Sequence, residues 1–481
     1  METKLKHKKK RENNLGTDDI KKLVPKIALP AMLAQFVSVL YSIVDRMYIG
    51  NIPQIGETAL AGVGICGPVV TMISAFAAWI GIGGAPLMSI KMGEKNQAGA
   101  EKILANCFML LLGMSAVITA AAFLTKDSLL RTFGATEYIF PYADAYMSIY
   151  ITGTVFAILS LGLNQFIICQ GFAGLGMCSV VIGAVMNIVL DSVFIFGLDM
   201  GIEGAAAATV LSQAASCAFT LCILLGHRVP IRLTLQRAGK RNGKGRLMDP
   251  SICRRVLILG LTPFLIILFD NVLIVIQNIM LKKYGGADSN LLLTCNTIVQ
   301  SFMLMITMPL SGISGGTQSI LGYNYGAGNS GRIKLAERQI MKAALLFCTV
   351  MFAAAQLGAG YFVLIFTRDA QYIAMTQKFI RIYTLGVISL AVQYVFVDGL
   401  TGMGIARVAL PLSFIRKGIY IALVVLLSVR LGAAEMFWAE PVSDLAAPVI
   451  TASVYALMMP GILRAREAEV NSHFKDRQGK Q

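Results

Sequence analysis

The sequence predicts an all-α integral membrane protein of about twelve transmembrane helices, in two six-helix lobes related by a pseudo-two-fold along the membrane normal. Three observations predict it. Hydrophobic residues make up 56% of the 481 and charged residues only 14%, where soluble domains carry about 25% charged residues. Apolar segments of ~20 residues recur from end to end, each long enough to cross ~30 Å of hydrocarbon. In lipid such segments are helical, because their backbone groups have no water to bond. Finally, the first half repeats faintly at a constant offset of 233 positions over about 75 residues. Lys21, Lys22 and Pro30 meet Arg254, Arg255 and Pro263, and Gly93-Glu94-Lys95-Asn96 meets Gly326-Ala327-Gly328-Asn329.

Taken in order, the first-lobe spans fall near 24–49, 59–90, 103–125, 142–169, 177–198 and 204–226. The second set falls near 256–281, 292–322, 340–366, 378–402, 408–430 and 444–463. A polar basic tail (1–20), expected to be disordered, precedes the first lobe (21–226). A basic Gly- and Pro-containing linker (227–252) leads to the second lobe (253–464), and 465–481 form a charged tail. An even number of spans per lobe gives both copies the same orientation, a parallel repeat of the kind many secondary transporters use, with the site at or near the interface of the halves. Later segments align at smaller offsets. Gln170-Gly171-Phe172 resembles Asp398-Gly399-Leu400, and Met200-Gly201 resembles Leu431-Gly432, as if the second copy had lost a few residues.

The formal net charge of +16 sits in the two tails and the linker. Lys4, Lys6, Lys8, Lys9, Lys10 and Arg11 crowd the start, Arg237, Lys240, Arg241 and Arg246 fill the linker, and Arg464 and Arg466 follow the last span. An even number of spans separates these regions, so they share one side. Excess Lys and Arg makes that side cytoplasmic, with both termini there, in a multi-pass protein of the inner (plasma) membrane. This placement argues against nucleic acid and for contact with the lipid bilayer and its anionic headgroups. The first apolar run is too long for a cleavable signal and reads as a signal anchor. Nine scattered cysteines without a C-x-x-C pair read as buried hydrophobes, not a disulfide frame or metal site. No cofactor is expected.

Ionisable residues inside spans cost about 2.5–3.5 kcal/mol each at a helix centre, so each calls for a reason. Asp45 lies near the outer end of the first span; its neighbour Arg46 points about 100° away around the helix and pairs poorly. Asn187 and Asp191 in the fifth span are four apart, on one helix face. A carboxylate and an amide stacked this way offer oxygens to a hard cation such as Na⁺, or hold a proton. Thr209 in the sixth span adds a hydroxyl. In the second lobe Asp270, Asn271 and Asn278 share the seventh span and form a candidate substrate or proton site. Asp398 beside Gly399 reads as solvated or turn-stabilising, and Arg416 and Lys417 as snorkelling to the interface. Pro30 and Pro263 occupy equivalent places in the first helix of each lobe, where proline removes a backbone bond and bends the helix, so both are candidate hinges. The 24 Met and 24 Phe suit a cavity tolerant of many ligands, though most such residues only fill the bundle or face lipid.

The stretches IALPAMLAQFVSVLYSIVDRMYIGN and GAVMNIVLDSVFIFGLDMGIEGAAAAT, with the glycine-and-Asn end of the second span and the doubled architecture, resemble the prokaryotic multidrug and toxic compound extrusion (MATE) transporters across roughly 21–464. The resemblance implies two six-helix bundles in a V around a central cavity, and export of amphipathic cationic small molecules in exchange for Na⁺ or H⁺. Asp45 matches the family's first-helix acid, Asn187 and Asp191 its fifth-helix Asn-x-x-x-Asp pair, and Thr209 a threonine often found near them. Together they would form the cation-coupling group. Some branches add a Glu in the seventh helix and an Asp in the tenth. Asp270 stands near the first of these and Ala391 near the second, so this chain departs from that pattern.

The expected function is therefore a cation-coupled antiporter working as a monomer on organic cations. A flippase for a lipid-linked metabolite is the nearest rival, disfavoured by the few basic residues mid-span. A membrane-embedded enzyme lacks support, since His7, His227 and His473 all lie outside the spans. A channel would need a filter or charge ring.

Overall fold

A computed structural model describes residues 13–234 and 248–478, with side chains to 472. The basic clusters at 1–12 and within 235–247, and the side chains of Lys475 and Arg477, lie outside the described residues. The described chain is helical with no strand. Its helices are α1 (Ile20–Gly50), α2 (Gly56–Gly93), α3 (Gln97–Thr132), α4 (Phe140–Thr152), α5 (Thr154–Ile168), α6 (Ala173–Asp191) and α7 (Gly201–Leu225). Then come α8 (Pro250–Tyr284), α9 (Ser289–Gly326), α10 (Ser330–Val363), α11 (Ala370–Tyr383), α12 (Val387–Gly402), α13 (Ala406–Leu431) and α14 (Ala439–Gln478). Among the described residues ten helices are long and apolar enough to cross a membrane, and counting each of the bent pairs α4–α5 and α11–α12 as one span brings the total to twelve. Leucines such as Leu124, Leu357 and Leu457 lie bare on these helices, as lipid-facing positions require.

The repeat is visible in the backbone. α2 and α9 have identical lengths and bounds 233 apart. Asn96 and Asn329 both cap the next helix, accepting from the backbone N–H of Gly99 at 2.9 Å and of Arg332 at 3.1 Å. Lys95 (φ 55°) and Gly328 (φ 68°) hold the same left-handed turn before them. Cutting either cap back to alanine is expected to cost ~1 kcal/mol, since one N–H at the helix start loses its partner. Thermal unfolding of Asn96→Ala and Asn329→Ala checks this.

The fourth and tenth spans are not single helices. α4 and α5 meet at Gly153 with a bend of 57°. α11 and α12 are separated by a short break that ends at Gly386, with a bend of 48°. Gly153 and Gly386 are themselves 233 apart. A Cβ on Gly153 would stand 2.5 Å from the Val210 side chain, and one on Gly386 would stand 2.5 Å from Cβ of Asp444. The left-handed glycines Gly171 (φ 90°) and Gly404 (φ 77°) keep the same offset. The smaller offset read from Gly171 and Gly399 is therefore corrected: Gly404 is the partner, and no residues were lost before it.

The chain forms two compact units. Unit 1 is Met1–Thr17 with Leu33–Ile267, and unit 2 is Asp18–Met32 with Leu268–Gln481. These differ from lobes cut in chain order, because the first half of α1 groups with unit 2 and the first half of α8 with unit 1. The changeovers fall just after Pro30 and Pro263. Within unit 1, Trp79 of α2 stacks on Phe264 of α8 at 4.5 Å and donates its indole N–H to the Leu257 carbonyl at 2.8 Å. Gly260 lies so close to α2 that a Cβ there would fall on the Trp79 carbonyl oxygen. Within unit 2, a Cβ on Gly312 of α9 would stand 2.7 Å from the Ala31 carbonyl oxygen. Two regions expected to be tails are partly ordered. Asn13 donates to the Gly171 carbonyl at 2.7 Å and Leu15 is buried, while α14 runs on to Gln478.

Candidate functional site

In unit 1 the apolar run 173–191 forms α6, and its four-residue spacing puts Asn187 and Asp191 on one buried face, 2% and 0% exposed. A π-helical turn, Ser192–Gly197, follows Asp191 directly. Such turns are frequent at functional sites. The Asn187 amide donates to the Thr209 hydroxyl of α7 at 3.5 Å, and that hydroxyl donates to the Ala205 carbonyl at 3.0 Å. Asp45 of α1 lies near enough to Asp191 for the two carboxyls to interact electrostatically. All four predicted residues thus fall in one neighbourhood of unit 1. Both Asp191 oxygens, one Asp45 oxygen and the Asn187 amide oxygen are buried and accept no hydrogen bond among the described residues.

Like charges close together away from water repel, and buried oxygens without donors are costly. A proton or a small cation answers both problems. Two carboxylates, an amide oxygen and a hydroxyl are hard oxygen donors that suit Na⁺. No cluster of three His, Cys, Asp or Glu able to hold a metal occurs among the described residues. Asp45 and Thr209 of the group border a cavity of about 250 Å³ that is also lined by Tyr41, Tyr146, Asn164 and Gln213 among others. Sequence reasoning misses Tyr41 and Gln213. Each lies four residues from a predicted member, Asp45 and Thr209, and that helical spacing is the signal that could find them.

Unit 2 differs from expectation. Asp270 is ion-paired with Lys417, Asn278 is exposed on another face of α8, and Asn271 is half-buried. The three do not form one site. A cavity of about 180 Å³ is lined instead by Asp270, Gln277, Gln300, Tyr383, Arg416 and Glu440 among others. Gln277, two turns after Asp270, takes the place expected for Asn278. Arg416 does not snorkel. It donates to Asp444 at 2.8 Å and to Glu440 at 2.7 Å, both on α14, and is buried. Lys417 is likewise held by Asp270 instead of reaching the interface. Asp398 accepts a hydrogen bond from Ser314 of α9, so its partner is a neighbouring helix and not solvent. Pairing explains the burial of Arg416, because buried charge persists only with a partner.

A family model described as MatE matches residues 30–193 and 264–433. The multidrug export protein MepA of Staphylococcus aureus strain MSSA476 is 22% identical over 430 residues, covering 88% of this chain and 91% of that protein. MepA of Staphylococcus haemolyticus strain JCSC1435 is 21% identical, covering 87% and 89%. Among solved structures, a MOP superfamily transporter from Pyrococcus furiosus superposes with a TM-score of 0.86 at 22% identity, covering 95% of this chain and all of the other. With a family model spanning most of both repeats, the chain belongs to the MatE family and is a membrane transporter, not an enzyme.

Proposed function

We propose that the protein is a cation-coupled antiporter that exports amphipathic organic cations by alternating access, driven by Na⁺ or H⁺. The observation that carries this reading is the set of buried oxygens on Asp45, Asn187 and Asp191 that accept no hydrogen bond among the described residues, with the two acids close enough to interact. A cation or proton entering from outside neutralises the pair, and its release inside restores the repulsion. The ion drives the cycle only through different affinity for the two conformations. One elementary charge crossing 100 mV supplies about 2.3 kcal/mol. The relatives named multidrug export proteins support small-molecule export. The basic residues of both termini and the linker support a cytoplasmic position for all three, and the protein acts as a monomer.

Asp270 is left out of the coupling group, since Lys417 already neutralises it. The pairing of Arg416 and Lys417 with carboxylates also leaves a lipid pyrophosphate without a free base at that cavity, which weighs against a flippase. Pro30 acts as a hinge in α1. Pro30→Ala, which restores a backbone donor, is expected to slow ion-driven efflux several-fold without loss of folded protein; transport rates in liposomes check it. The central test loads liposomes containing the protein with a fluorescent organic cation and imposes Na⁺ and pH gradients separately. Efflux driven by one gradient supports the reading, and efflux indifferent to both overturns it.

A further inference from the structure

The two cavities are versions of one feature. Gly67, Ser74, Tyr150 and Gly183 around the first correspond, 233 positions on, to Gln300, Thr307, Tyr383 and Arg416 around the second. Asn187 itself corresponds to Tyr420, which lines the second cavity and whose hydroxyl lies 2.9 Å from that of Tyr383. At position 183 a side chain would run into Ser216, and the first cavity stays open. At the matching position 416 the chain instead inserts a guanidinium. That group lies between two buried carboxylates, Glu440 and Asp444, 7% and 0% exposed. One Asp444 oxygen accepts no hydrogen bond among the described residues. In each unit one member of a carboxylate pair, Asp45 or Glu440, lines the cavity; Asp270 also lines the second and is already paired with Lys417. Unit 2 places the positive charge of Arg416 between Glu440 and Asp444.

We propose that Arg416 is a tethered cation, filling in unit 2 the part that an exchanged cation plays in unit 1, and that cutting it back opens a site for a free guanidinium ion. The parallel with an exchanged ion rests on the function proposed above; the binding site does not. One bound charge is built into the second unit, so only the first would exchange ions. The two oxygens that Arg416 contacts, on separate carboxylates, suit the planar fork of a guanidinium better than a spherical ion.

The test uses the purified full chain and thermal unfolding, with guanidinium or methylguanidinium at low millimolar concentration and NaCl at equal strength as control. Arg416→Gly is expected to unfold several degrees below the unaltered protein and to regain most of that loss with guanidinium, not with NaCl. The unaltered protein and the triple variant R416G/E440Q/D444N are expected to show no such response. No guanidinium effect on folded Arg416→Gly, or an equal effect on the triple variant, overturns the proposal. If Arg416→Gly cannot be recovered folded, the triple variant decides. Its recovery supports a charge-balancing role, and its loss shows that Arg416 acts by packing. Failure of ion-driven efflux in liposomes would bear only on the function of unit 1, because the unfolding measurement needs no transport.

Discussion

Asp191→Asn is expected to abolish ion-driven efflux while leaving folded protein in the membrane. The side chain keeps its size but loses the charge that a cation or proton would neutralise. Asp191 is fully buried, lies close to Asp45, and has both oxygens free of hydrogen-bond donors among the described residues. Removing one of two facing carboxylates also removes their repulsion, so thermal stability should hold or rise. Efflux should fall at least ~10-fold, the factor that about 1.4 kcal/mol represents. Asp45→Asn should behave alike. Reconstituted transport and the unfolding midpoint, measured on the same preparation, separate lost coupling from lost fold. Gradient-driven efflux at the unaltered rate by both variants would refute the assignment.

The second large effect is steric. Gly260→Val is expected to prevent correct packing of the first half of α8, with most of the protein lost as aggregate. A Cβ there would occupy the space of the Trp79 carbonyl oxygen, and Gly83 of α2 faces the same crossing, where a Cβ would stand 2.8 Å from the Gly260 backbone nitrogen. Backbone lies on both sides, so no rotamer change relieves the clash. Overpacking typically costs about 1–3 kcal/mol, and a helix–helix crossing that must separate sits at or above that range. Size-exclusion profiles of the variant against Gly64→Ala, whose Cβ meets nothing within 4 Å, give the comparison.

Much of the first site is legible in the sequence because the bilayer makes polar residues conspicuous. Asp45, Asn187, Asp191 and Thr209 stand out in apolar runs, and the four-residue spacing fixes a shared face. The second cavity is not legible. Arg416 reads as an interfacial residue because its partners, Glu440 and Asp444, lie on another helix, and no local pattern joins them. The breaks at Gly153 and Gly386 are hidden for a similar reason: what they accommodate, Val210 and Asp444, is distant in sequence. The misaligned offset near Gly399 shows how glycine-rich turns resemble one another in composition, whereas the left-handed backbone at Gly171 and Gly404 tells them apart.

The division of α1 and α8 between the units has a consequence for biosynthesis. Unit 1 ends at Ile267, beyond the linker, so it lacks a packing segment until the ribosome has passed the start of the second repeat. Unit 2 in turn needs Asp18–Met32, made long before the rest of it. A gene split at the linker would yield two fragments, each holding a piece that the other requires, and neither fragment would complete a unit until both were present.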